Sequence, residues 1–119
     1  DVYISSVNGI SETGVLVNID GTGNRLAGTI FGPEKVYFVV GVNKIAPDME
    51  QAIWRARNIA APMNARRFAV NTPCVKSKEL RCYDCNSEER ICKGMLLLWR
   101  KMDGVKECEV VIINEDLGF

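Results

Sequence analysis

Four of the chain's five cysteines, Cys74, Cys82, Cys85 and Cys92, fall within 19 residues, at the spacing C-x7-C-x2-C-x6-C. Thiolates are soft ligands that take zinc or iron–sulfur clusters. The step from Cys82 to Cys85 suits two ligands on one metal or cluster. Cys74 and Cys92 can close the set from either side, because the Lys, Ser, Asn and Glu residues between them have little to bury. Lys76, Lys78, Arg81 and Arg90 add positive charge that stabilises thiolates. Other readings are free surface thiols, which oxidise, and a thioredoxin-like dithiol, which places its C-x-x-C at the start of a helix rather than within a loop. The spacing matches neither ferredoxin pattern. An iron–sulfur cluster is favoured, and structural Zn2+ held by four cysteines stays open. Cys108 differs: it alternates with Val110 and Ile112 and reads as a buried strand thiol.

The chain has no histidine. That removes the commonest general base, the Ser/His and Cys/His nucleophile pairs and every His-containing metal site. Chemistry away from the cysteines must then use carboxylates, amides and cations. In open α/β sheets, ligands bind beyond the carboxyl ends of the strands, and three segments qualify. Residues 8–14 hold Glu12, a candidate nucleophile or general base. Residues 20–25 hold Asp20, Gly21, Gly23, Asn24 and Arg25, where the glycines let backbone amides approach an anion and Arg25 can pair with a phosphate or carboxylate. Asn43 and Lys44 follow a third strand, and Lys44 can bind an anion or act as an acid. A plain turn or a solvated side chain is the alternative at each. A small anionic substrate is expected, and no nucleotide cofactor.

Positioning these groups requires strands that end where the loops begin. Residues 1–5 read as a short strand, residues 7–14 as a turn-rich connection and residues 15–19 as a β-branched strand. Residues 25–31 fit either a strand or a short helix, with Gly32 and Pro33 ending it. Residues 35–41 are nearly all apolar, as in a central strand covered on both faces. Asp48 is a candidate N-cap for a helix whose apolar stripe is Met49, Ile53, Ala56, Ala60 and Met63, with a kink or break at Pro62. Asn58 and Asn64 flank that kink and can face a site, while the arginines of the helix read mostly as a solvated face. Residues 71–93 form the cysteine-rich metal-binding loop. Residues 95–100 and 107–114 read as strands joined by a turn at Asp103 and Gly104. Strands interleaved with helices predict one α/β domain over residues 1–119, with an open, mixed or mostly parallel sheet flanked by helices.

Fifteen basic residues balance fifteen acidic ones, which argues against a nucleic-acid partner or an anionic membrane surface. No apolar run approaches the roughly 18 residues of a membrane helix. Crowded cysteines without a signal peptide point to a reducing, cytoplasmic compartment. The chain opens at Asp1 directly into an apolar strand, so a C-terminal portion of a longer protein, truncated at its N-terminus, is expected. An incomplete sheet would leave apolar surface exposed, and a homodimer is compatible with that.

Residues 10–25 resemble the LUD domain of lactate-utilisation proteins. So do residues 31–36, 41–45, 57–64 and 72–74, the segment from Cys82 to Cys92, and residues 115–119, with the cysteine-containing subfamily the best fit. The resemblance implies a fold like that of ribose-5-phosphate isomerase, glucosamine-phosphate isomerase and the CoA transferases (the NagB/RpiA/CoA-transferase type). It also favours a helix at residues 25–31. Glu12 to Gly14 is similar to the Glu-x-Gly turn that carries a CoA-transferase nucleophile, although the surrounding residues depart from that pattern. Asn43 and Lys44 fall near the superfamily's substrate-lysine region. Three functions follow as expectations. The first is an accessory or redox component of lactate-to-pyruvate oxidation, working beside other lactate-utilisation proteins, some carrying iron–sulfur clusters. The second is an isomerase- or CoA-transferase-like enzyme acting on a phosphorylated or CoA-linked substrate. The third is a zinc-stabilised interaction domain.

Overall fold

A computed structural model describes residues 1–119. The chain runs β1 (Val2–Ser5), β2 (Gly9–Ser11), β3 (Leu16–Asp20), α1 (Asn24–Ile30), β4 (Lys35–Gly41), a 3-10 turn (Val42–Lys44) and β5 (Ile45–Ala46). It continues through α2 (Met49–Arg55), a π turn (Ala56–Ala60), α3 (Ala61–Phe68), α4 (Pro73–Lys76), β6 (Gly94–Leu98) and β7 (Glu107–Ile113). The α/β class is as expected, and the strands form two sheets. The first is parallel throughout, in the order β1-β4-β7; the second is mixed, in the order β5-β2-β3-β6. The strands on either side of the Asp103 and Gly104 turn therefore do not pair: β6 lies antiparallel to β3, and β7 lies parallel to β4.

The apolar alternation of β4 explains the main core. Val36, Phe38 and Val40 point inward and are essentially fully buried, packed with Val7, Ile10, Leu16, Leu98 and Val105. The half-buried Cys108 packs against this cluster from β7, and burial raises its thiol pKa. Successive residues of a strand face opposite ways, so Leu16 serves this core while Val17 joins Ala46, Ala52 and Ala56 in a second one under the helix. The opposite face of β4 is more open than a strand covered on both sides: Val39 is 38% exposed, with Val111 at 40% and Ile4 at 66% beside it. The parallel register that pairs Ile4 with Tyr37 and Val39 with Val111 places these residues on one outer face.

The stretch that fits either a strand or a helix folds as α1, Asn24–Ile30, with Phe31 extended after it. Its Asp20-anchored loop supplies the turn a hairpin would otherwise need, and β3 pairs with β6 instead. The connection at residues 7–14 contains β2, three buried residues between β3 and β5. Asp48 caps α2, its side chain accepting the Gln51 amide at 2.8 Å. The buried residues of this stretch are Ala52, Ala56, Ala60, Pro62 and Ala65 rather than Met49, Ile53 and Met63, and at Ala52 α2 lies very close to β2. Gly9 makes that approach possible: a Cβ there would stand 2.6 Å from the Ala52 carbonyl oxygen. Gly9→Ala is expected to force backbone apart and destabilise the domain by about 1–3 kcal/mol, measured by urea denaturation.

Candidate functional site

Proline lacks the amide proton of a regular helix, and its ring clashes with the carbonyl four residues back. Ahead of Pro62 the helix widens into the π turn, a feature common at functional sites. Two side chains of this turn reach the cysteine segment. Asn58 donates to the Trp54 carbonyl at 3.1 Å and accepts the Cys82 amide at 2.9 Å. Arg57 reaches Cys82 Sγ at 3.6 Å and the Asp84 carboxylate at 3.0 Å. The divided helix is thus the support for the first half of the C-x-x-C step.

The remaining cysteines are placed by their own segment. Thr72 is buried, and its hydroxyl lies 3.3 Å from Cys74 Sγ at the start of α4. The backbone turns left-handed at Asp84, whose amide donates to Cys82 Sγ at 3.3 Å. Arg90 donates to the Cys85 carbonyl at 2.6 Å and to Cys92 Sγ at 3.4 Å. Hydrogen bonds from the Ser87 hydroxyl and amide lower the Cys85 pKa. Together, Cys74, Cys82, Cys85 and Cys92 line one cavity of about 30 Å3, with Arg57 and Arg90 at its wall. No three Cys, Asp or Glu side chains are arranged to hold a single metal ion.

Beside it lies a larger cavity of about 610 Å3. Asp20, Gly21 and Arg25 form one side, whereas Gly23 and Asn24 of the same loop do not line it. Burial by itself would raise the Asp20 pKa. The amides of Arg25, Gly21 and Gly23 and the Arg25 charge outweigh it, holding the carboxyl below the usual range. Asp20 therefore shapes the loop, and Arg25 is engaged with Asp20 and the Ile19 carbonyl. Asn64, Arg67 and Lys93 line the cavity together with Asn8, Thr22, Arg90 and the carboxylates Glu88 and Glu89, and the side chains of Asn64, Arg67 and Lys93 make no hydrogen bond or ion pair within the chain. Arg67 stacks on Phe68, 4.8 Å from the ring centroid, and lies 5.8 Å from that of Phe119. Arg67 and Lys93 were not legible as site residues. Their faces are set by the π turn and by the path of the loop, although the i, i+3 spacing of Asn64 and Arg67 was a signal available in the sequence.

Three expected groups lie elsewhere. Glu12 is exposed on the loop after β2, outside both cavities. Asn43 holds the C-terminal residues, accepting the Leu117 amide at 3.0 Å and donating to the Gly118 carbonyl at 3.3 Å. Lys44 is buried, its Nζ donating to the Val7 carbonyl at 3.1 Å. Arg55 spans the Asn43, Asn8 and Phe119 carbonyls nearby. Burial, helped by the charges of Arg55 and Arg25, lowers the Lys44 pKa to about 8.

Residues 1–113 match the LUD domain family, so the chain belongs to that family, which is associated with lactate utilisation. No curated protein and no solved structure matches the chain. No helix is long and apolar enough to cross a membrane.

The Lys44 geometry has a pH signature. Between about pH 8 and the usual lysine value of 10.5, the unfolded chain keeps a proton that the native protein has lost, so stability rises with pH across that window. Lys44→Met is expected to abolish a rise on the order of 2–3 kcal/mol, measured by denaturant unfolding at pH 7 and pH 10.

Proposed function

We propose that the chain is an accessory or redox component of lactate utilisation. In this reading the four cysteines hold an iron–sulfur cluster, and the adjoining large cavity takes a small organic anion. The carrying observation is that all four thiols of the segment line one cavity whose wall also carries Arg57 and Arg90. Guanidinium and amide N–H groups already point at Cys82 and Cys92 sulfur, the kind of hydrogen bonding that tunes cluster thiolates. A tetrahedral zinc would draw four sulfurs to about 2.3 Å from one point. An iron–sulfur cluster would instead spread the four thiolates over different irons.

When bound, such a cluster supplies one-electron transfer. The chain's own residues do the rest. Arg57 and Arg90 balance thiolate charge, and Asn58 fixes the Cys82 backbone. Arg67 and Lys93 offer unpaired cations to a carboxylate in the neighbouring cavity. Electrons would pass to or from other proteins of the same utilisation system.

Anaerobic purification is expected to give a coloured protein with iron and acid-labile sulfide. A colourless protein holding one zinc per chain would contradict the cluster. Changing any one of Cys74, Cys82, Cys85 or Cys92 to Ser should lower the iron content sharply, whereas Cys108→Ala should keep it.

A further inference from the structure

The two cavities share a wall. Arg90, Ile91 and Cys92 line both, and this short stretch is fastened to the glycine loop through backbone. The Ile91 carbonyl oxygen presses against Gly21, where a Cβ would stand only 2.5 Å away. The Lys93 amide donates to the Asp20 carbonyl at 3.1 Å, and the β3–β6 ladder begins at the pairing of Asp20 with Gly94. Asp20 in turn gathers the Gly21, Gly23 and Arg25 amides on its carboxylate. Residues 20–25 are therefore a compact unit in contact with the residues flanking Cys92.

On the cysteine side, Arg90 is the strut. Its two terminal nitrogens hold Cys85 and Cys92, while its buried Nε has no hydrogen-bond partner. Ligation would engage the Cys92 thiol, which accepts from Arg90 and stands between Ile91 and Lys93. A displacement there toward Gly21 is blocked by the Ile91 carbonyl, and one away from it strains the Lys93–Asp20 backbone hydrogen bond.

We infer that occupancy of the four-cysteine site and binding in the large cavity are coupled through residues 90–93. Ligation of Cys92 sets the position of the Asp20–Gly21 wall and of the Lys93 ammonium, so the cavity is completed for its anion only when the cysteines are loaded. By linkage the coupling is reciprocal: an anion held by Arg67 and Lys93 tightens the cysteine site. The inference rests on the cysteines being ligands, as proposed above.

Two measurements on the full chain test it. The first is amide hydrogen exchange before and after anaerobic reconstitution with ferrous iron and sulfide. Exchange at residues 20–25 is expected to slow about tenfold on loading, within the usual range of coupling between sites. Protection confined to residues 74–92, with residues 20–25 unchanged, would overturn the coupling. The second needs no metal. In Gly21→Ala the new methyl displaces Ile91, so alkylation of Cys92 by iodoacetamide, followed by peptide mass spectrometry, should accelerate several-fold relative to Cys108. An unchanged Cys92 rate in a folded variant would overturn the coupling. A chain that takes up no metal at all would sink the ligand role of the cysteines, and the labelling experiment would still decide whether Gly21 and Cys92 are mechanically linked.

Discussion

The arrangement of the whole site depends on the antiparallel ladder between β3 and β6, which runs from Leu16 opposite Leu98 to Asp20 opposite Gly94. It places the exit of the cysteine segment directly beside the glycine loop. The segment between Ser77 and Lys93 has no helix or strand of its own, and its polar residues give it little to bury. Order there has to be imposed from outside. The ladder does so at one end, the buried Thr72 does so at the other, and Asn58 holds the Cys82 amide between them. Backbone hydrogen bonds and close backbone contact tolerate little slippage, since a one-residue shift in register turns every strand side chain to the opposite face.

A balanced set of charges is divided by geometry into three tasks. Lys44 and Arg55 are spent on backbone carbonyls, where they join the strand-end turn to β2 and the C-terminal residues. Arg57 and Arg90 face sulfur. Arg67 and Lys93 face an open cavity. Net charge carries none of this information. A buried cation satisfied by carbonyls stabilises a turn, whereas Arg67 and Lys93, which form no ion pair with the Asp20, Glu88 or Glu89 carboxylates of the same cavity, are available to a ligand.

Local signals were readable in the residues themselves. The apolar run at β4, the Asp48 cap and the grouping of four cysteines around one cavity all follow from patterns a few residues long. The LUD resemblance also anticipated the helix at Asn24–Ile30. What escaped depends on partners distant in sequence. Gly9 to Ser11 looks like a turn because its apolar content is a single isoleucine, and it becomes a strand only when β3 and β5 flank it. The π turn was legible as a break at Pro62 but not as a widened turn, and its extra residue re-phases the face on which Asn64 and Arg67 emerge. The exposed outer face of β4 is likewise invisible in an apolar run, since Val39 and Val40 look alike until a sheet gives them opposite sides. The strand-end rule drew attention to residues 20–25, of which Asp20, Gly21 and Arg25 line the large cavity while Gly23 and Asn24 do not. It also drew attention to Glu12, Asn43 and Lys44, which stand at strand ends but line neither cavity.

The central claim is that Cys74, Cys82, Cys85 and Cys92 act as one ligand set. X-ray absorption at the iron edge of the anaerobically prepared chain tests it most directly. The account predicts a first shell of sulfur alone with a short iron–iron vector, both lost together when Cys92 is replaced by Ser. A shell dominated by oxygen or nitrogen, or a spectrum unchanged by that replacement, would contradict it.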